Sequence, residues 1–179
     1  MTRSVLGWGR RPETPAADHA SRGVDEAFAD FYRAEAPGLA TFLLYLGARS
    51  NDVPDLVQET MFAASRAWQD ITNRRAWLRR VASREFGRLL SRVEPRAVGV
   101  SRTALMVDEA AFEHWEQTNE VLRQLRELPA RQRQVMAWTY DGFSPSEIAV
   151  ELGITREAVR SNLLKARKAL TYLSEQGGV

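Results

Sequence analysis

Apolar residues recur along this chain at intervals of three and four, and they nowhere alternate over a useful length. That period predicts helices and no sheet. From Asp25 to Glu35 the stripe is Phe28, Phe31 and Tyr32. Pro37-Gly38 should interrupt it, and Leu39, Phe42, Leu43 and Leu46 resume it up to a C-capping Gly47. Asp52 is placed to cap a helix with Pro54 in its first turn, running to about Trp68. A short polar loop, residues 70–73, leads to another helix from about Arg75 to Arg92. Further on, Leu122, Leu125 and Leu128 form a stripe stopped by Pro129. Val135, Met136 and Tyr140 form the next, ended by Asp141-Gly142, and two more helices follow.

The intervals between these runs divide the chain. Residues 1–24 contain Gly7, Gly9, Pro12, Pro15 and Gly23 among polar and alanine-rich stretches, so a disordered N-terminal extension is expected. Arg10-Arg11 is followed by no apolar segment, which argues against an export signal. Residues 93–118 are weakly patterned around Pro95 and Gly99. They then turn acidic, with Asp108, Glu109, Glu113 and Glu116 and no lysine or arginine between Met106 and Glu120. The expected architecture is all-α: two small helical domains, 25–92 and 119–175, joined by an acidic flexible linker, the C-terminal domain holding a helix-turn-helix.

Composition narrows the chemistry. The chain has 179 residues and no cysteine, which removes disulfides, thiol catalysis and cysteine-ligated metals. Its two histidines, His19 and His114, stand in unrelated contexts. No Ser/His/Asp set, paired catalytic carboxylates or phosphate loop is evident, so neither an enzyme nor a bound cofactor or metal is expected. No apolar run approaches the roughly 20 residues of a membrane span, and a cytoplasmic protein without membrane insertion is expected. The net charge is only +2, but 23 of the 25 basic residues are arginine, the side chain suited to forked contact with phosphates and guanine edges. What matters is where they sit.

The strongest local signal is residues 142–170, GFSPSEIAVELGITREAVRSNLLKARKAL. Ser144-Pro145-Ser146-Glu147 has the form of a capping box. Ile148, Ala149 and Leu152 make the inner face of a short helix. Gly153 supplies a left-handed turn, Thr155 caps the next helix, and Val159, Leu163, Ala166 and Leu170 line its inner face. Ala149, Gly153 and Val159 have helix-turn-helix spacing. The outer face of the second helix carries Arg156, Glu157, Arg160, Ser161, Asn162 and Lys165, with Arg167 beyond them. Residues 153–170 hold five bases and one acid. That is a recognition-helix layout, with polar side chains for base edges and cations for phosphates.

Two N-terminal helices are also unusual. In DLVQETMFAASRAW, residues 55–68, Asp55, Gln58, Glu59, Phe62, Ser65 and Arg66 recur on one face. Phe62 is either an aromatic in a polar stripe, suited to docking on another protein, or a core residue of a helix buried on two sides. The next helix carries Arg80, Arg84, Arg88 and Arg92 at four-residue spacing, with Arg75 and Arg79 adding charge. Residues 66–92 hold eight arginines against Asp70 and Glu85. A stripe so poor in neighbouring acids can track a nucleic-acid backbone. Trp77 could stack on an exposed base, although a core anchor suits it better.

DLVQETMFAASRAW, RRAWLRRVA and ELPARQRQVMAWTYDGFSPSEIAVELGITREAVRSNLLKARKAL together resemble the extracytoplasmic-function sigma factors of bacterial RNA polymerase. The resemblance implies that the first domain is region two, which binds the clamp helices of the largest polymerase subunit and opens the minus-10 promoter element. The second would be region four, which binds the flap of the second large subunit and reads the minus-35 element in the major groove. On matching positions it implies core polymerase contacts at Asp55, Gln58, Glu59, Phe62 and Arg66. It implies minus-10 contacts at Asn73, Arg74, Arg75, Arg79, Arg80, Arg84 and Arg88. The minus-35 contacts would be Arg156, Glu157, Arg160, Ser161, Asn162, Lys165 and Arg167. Promoter DNA and core polymerase are thus the expected partners, and the family often works with an anti-sigma factor. The chain departs from the family's usual pattern at Arg84 and Arg88, where Asn and Asp are common, and in the short loop before Trp77 (Ile71–Arg74).

Overall fold

A computed structural model describes the backbone of residues 15–91 and 119–176, with side chains over 26–91 and 119–175. Seven α-helices are described: α1 (Pro15–Leu46), α2 (Val53–Arg66), α3 (Arg74–Ser91), α4 (Glu120–Glu127), α5 (Ala130–Tyr140), α6 (Pro145–Leu152) and α7 (Arg156–Gln176). Among the described residues there is no strand. The acidic run at 108–116 lies outside the described residues.

Local chemistry sets most helix ends. α1, α5 and α6 each stop at a glycine with positive φ, namely Gly47, Gly142 and Gly153. In each case the two amides after the helix turn back to it. The Ala48 amide donates to the Leu43 carbonyl, that of Phe143 to Trp138 and that of Ile154 to Ala149, at 3.0–3.1 Å. This is the Schellman pattern, and the left-handed residue it requires is least strained as glycine. Asn119 caps α4 by accepting from the Val121 and Leu122 amides. The capping box of α6 is complete: the Ser144 hydroxyl accepts from the Glu147 amide, and the Glu147 carboxylate accepts from the Ser144 amide at 2.8 Å.

Those bonds hold the Glu147 carboxyl below its ordinary pKa, the Ser144 side chain being the larger cause. A depressed carboxyl stabilises the fold above its unfolded pKa, and that help is lost as pH falls through its folded value. Ser144→Ala should therefore cost about 1 kcal/mol at neutral pH. The advantage of the native chain over Glu147→Gln should vanish in acid. Denaturant melts of both variants at neutral and acid pH check this, and a Glu147→Gln deficit that does not change with pH would refute it.

Three helix boundaries differ from the sequence reading. α1 begins at Pro15, inside the stretch expected to be a disordered tail. Pro15 suits a first helical position, and Ala16, Ala17 and Ala20 are strong helix formers. α1 also runs through Pro37-Gly38 without a break. The apolar stripe on either side is in phase, and burial of Leu39, Phe42 and Leu43 outweighs the backbone bond that proline removes. Asp52 does not cap α2. A 3-10 turn, Ser50–Asp52, leads directly into the helix, and the Asp52 side chain makes no cap bond.

One apolar core runs through all seven described helices. Leu43, Val57, Met61 and Leu78 fill its N-terminal part, and Leu122, Leu125, Ile148, Val159 and Ala166 its C-terminal part. The two halves meet where α5 packs on α1. α5 is buried over four consecutive residues, Val135 to Trp138, so it is enclosed on every side rather than along one stripe. Trp138 is wholly buried there. Its ring lies edge-on to Phe42 of α1 at 5.6 Å and to Phe143 at 4.8 Å.

Candidate functional site

The helix-turn-helix forms as its spacing implies. Gly153 turns the chain between α6 and α7 at φ +62°, and the Thr155 hydroxyl accepts from the Ala158 amide to start α7. Val159, Leu163 and Ala166 are buried, whereas Arg156, Glu157, Arg160, Ser161, Lys165 and Arg167 are exposed along the outer face. Asn162 differs from this group. It is half-buried, and its amide donates to the Ala158 carbonyl at 2.8 Å, so the helix itself occupies that donor. Exposed cations with a hydroxyl, Ser161, on the outer face of the second helix of such a turn are the chemistry that reads a major groove.

On α2, Asp55, Gln58, Glu59, Phe62 and Arg66 are all exposed, with Leu56, Val57, Thr60, Met61 and Ala64 buried behind them. Phe62 is 60% exposed, with the Arg66 guanidinium 5.9 Å from its ring. This settles the alternative left open by the pattern: Phe62 is outside the core, an apolar side chain among polar ones.

The cations of α3 fall into three groups. Trp77 packs against the core, so it acts as an anchor there. At the start of the helix the Asn73 side chain accepts from the Ala76 amide, which makes Asn73 a cap, and Arg74 lies 4.0 Å over the Trp68 ring. At the far end Arg84 and Arg88 are exposed and share Glu85, Arg88 at 2.7 Å and Arg84 at 3.8 Å. Between them, Arg75, Arg79 and Arg80 point at the C-terminal half of the molecule.

Arg79 corrects the expectation most. Placed by the sequence among surface contacts for DNA, it is 1% exposed. Its guanidinium holds the Asp141 carboxylate through two parallel bonds of 3.0 and 3.1 Å, and Glu35 of α1 through a third of 2.8 Å. Such a fork is the geometry that makes arginine preferred in buried ion pairs. Arg75 adds to it, donating to the Asp141 backbone carbonyl at 2.5 Å and lying 3.3 Å from its carboxylate. Arg80 reaches Glu151 of α6 at 3.3 Å. Gly38 matters here through its lack of a side chain: a Cβ at that position would lie 3.1 Å from the Arg79 guanidinium. The acids that balance these arginines lie far away in sequence, Glu35 44 residues before Arg79 and Glu151 71 after Arg80, so the local charge count missed them.

Among the described residues no group of His, Asp and Glu could hold a metal, and no helix is long and apolar enough to cross a membrane. The exposed side chains of α3 and α7 are largely cationic, and those of α2 mix acidic, polar and aromatic groups.

Fold and site thus define a helix-turn-helix nucleic-acid-binding protein built from two helical modules. Residues 31–94 match Sigma-70 region 2, and residues 118–170 match Sigma-70 region 4. The RNA polymerase sigma factor NccH of Alcaligenes xylosoxydans xylosoxydans is 27% identical over 176 residues, covering 91% of this chain and 95% of that protein. The structure of CnrH in complex with the cytosolic domain of CnrY superposes with a TM-score of 0.63 at 27% identity, covering 89% of this chain and 95% of that one. The fold is also shared with the sigma factor RpoE of Bartonella quintana, solved with the anti-sigma factor NepR (TM-score 0.66, 22% identity, 84% and 98% covered). The chain belongs to the sigma-70 family, among its extracytoplasmic-function members, and is a promoter-directing sigma factor for RNA polymerase.

Proposed function

We propose that residues 25–92 serve as the module that grips the polymerase clamp helices and opens the minus-10 element. Residues 93–118 would be the linker, and residues 119–175 the module that binds the flap and reads the minus-35 element. The observation that carries this reading is the outward face of α7. Arg156, Glu157, Arg160, Ser161, Lys165 and Arg167 stand exposed on a capped helix that follows a tight turn.

On α2 the exposed set Asp55, Gln58, Glu59, Phe62 and Arg66 would contact core polymerase, with Phe62 as the apolar anchor. Arg84 and Arg88, with Arg74, Arg75 and Arg80, would line the minus-10 strand. Asn73 and Arg79 would support that surface by capping and by ion pairing. The protein would act by binding alone, in the cytoplasm. Contacts to polymerase and duplex would offset the unpairing of a few base steps, each about 1–2 kcal/mol, without hydrolysis. Asp108, Glu109, Glu113 and Glu116 of the linker would occupy a basic channel of the polymerase. An anti-sigma factor is a proposed partner, since CnrH and RpoE were solved with CnrY and NepR.

In vitro transcription with purified core polymerase, run-off ends mapped across a genomic library, tests the reading. Arg160→Ala or Lys165→Ala should weaken initiation at minus-35-dependent promoters by about 1–3 kcal/mol where a base contact is lost, and less for a phosphate. Phe62→Ala should reduce co-purification with core and leave the melting temperature unchanged. Equal activity on promoters with and without a minus-35 element would remove α7 from recognition.

A further inference from the structure

The distal end of α3 carries a glycine that the fold does not explain. Five glycines are described. Gly47, Gly142 and Gly153 take positive φ at helix ends, and Gly38 makes room for the Arg79 guanidinium. Gly87 does neither. It stands inside α3, where glycine is a poor helix former, and a Cβ at that position would meet nothing within 4 Å. Its missing side chain leaves an open floor on the surface. Its neighbours across the helix, three and four residues away, are Ser83, Arg84, Leu90 and Ser91, with Arg88 beside it. Arg84, Gly87, Arg88 and Ser91 are exposed, and Leu90 stands 67% exposed as an apolar side chain in water. One Glu85 oxygen lies 2.7 Å from Nη1 of Arg88 and 3.8 Å from Nε of Arg84. That carboxylate steadies both guanidiniums from the side, and each keeps a forked N–H pair for a ligand.

We propose that this floor reads a base, and that the base is an unpaired guanine of the opened minus-10 strand. An arginine fork matches the adjacent O6 and N7 acceptors of guanine, whereas adenine sets an amino donor beside its N7 and opposes the second guanidinium N–H. The face of the ring is met as well as its edge. Gly87 lets a flat ring settle close to the helix backbone, and Leu90 covers its apolar side. A base presents both face and edge only when it has left its stack. The asparagine and aspartate common in the family at the positions of Arg84 and Arg88 carry no such fork, so the departure of this chain changes which base is accepted. The inference rests on the proposed minus-10 role of α3 and adds to it the identity of one base.

Two measurements on the full-length chain test it. In the first, the protein with core polymerase transcribes a promoter library randomised over the minus-10 element, and the templates used are sequenced. Guanine should be enriched about tenfold or more at one non-template position, the discrimination of a forked contact. Arg84→Lys/Arg88→Lys keeps both charges and removes both forks, so it should flatten that position and leave the other preferences in place. A role in phosphate binding alone would leave the guanine preference standing. Gly87→Leu should also flatten it, without lowering the melting temperature, because leucine is a good helix former and nothing crowds the site.

The second measurement needs no polymerase. Fluorescence anisotropy compares binding of the native chain to single-stranded oligothymidylates that carry one central guanine, hypoxanthine or 7-deazaguanine. Guanine and hypoxanthine share O6 and N7 and should bind alike, whereas 7-deazaguanine should bind about fivefold or more weakly. The inference is overturned by a library without guanine enrichment, by an enrichment that survives Arg84→Lys/Arg88→Lys, or by equal binding of guanine and 7-deazaguanine. Failure of the native chain to start transcription on any template would instead overturn the minus-10 reading. Guanine selectivity in the binding measurement would still stand as evidence for the arginine site.

Discussion

Trp138→Ala should lower the stability of the whole chain by about 3–5 kcal/mol, the range for removing a large buried aromatic. Trp138 of α5 is fully buried and makes edge contacts to Phe42 of α1 and to Phe143 in the turn between α5 and α6. Its loss opens a cavity where the two modules meet, and the surrounding rings cannot collapse into it without moving both. Part of the cost is offset because the unpaired indole N–H is removed as well. Trp138→Phe should therefore be much milder, since it keeps most of the ring volume and discards the orphan donor. Calorimetry distinguishes the outcomes: Trp138→Ala should shift the unfolding of both modules. A change confined to one of two transitions would show that the modules melt independently.

Arg79→Ala should cost a further large amount, about 3 kcal/mol, because it leaves the partly buried Asp141 and Glu35 carboxylates with only the half-exposed Arg75 beside them, at 3.3 and 4.0 Å. Glu35 retains 22% side-chain exposure, and parting of the modules would rehydrate both acids, so the loss is smaller where opening is easy. A double-mutant cycle isolates the fork. Arg79→Ala combined with Asp141→Ala should be clearly less damaging than the sum of the two single changes, since neither charge is then left alone. Arg79→Met should be milder than Arg79→Ala, as its stem still fills the space beside Gly38 and Phe42. Additive losses in the cycle would mean that the fork seen between Arg79 and Asp141 contributes no coupling.

What was legible in the sequence was local in origin. Gly47, Gly142 and Gly153 marked helix ends because each end needs a left-handed residue that glycine tolerates. Ser144 and Glu147 marked a helix start because their mutual bonds span only three residues. The buried faces of α4 and α7 followed from period alone, as Leu122, Leu125, Val159, Leu163 and Ala166 confirm. α5 escaped that reading. Its hydrophobic stretch is enclosed all round, so Val135, Met136 and Tyr140 were read as a stripe while Trp138, between them, holds the centre. Pro37-Gly38 was misleading because proline and glycine read as punctuation. The glycine is there for the close approach of Arg79, and the proline is carried by the packing around it.

The amino-acid sequence by itself determined the all-helical class and the turn that aims α7, since both depend on neighbours within about a turn, whereas only packing showed that Phe62 of α2 faces outward. Which cations are available for DNA was decided only by tertiary structure. Arg79 and Arg84 are alike in the chain, yet one is sealed against Asp141 and the other remains in water. Charge acts through space, and the partner that neutralises an arginine can lie sixty residues away, where no sequence window registers it.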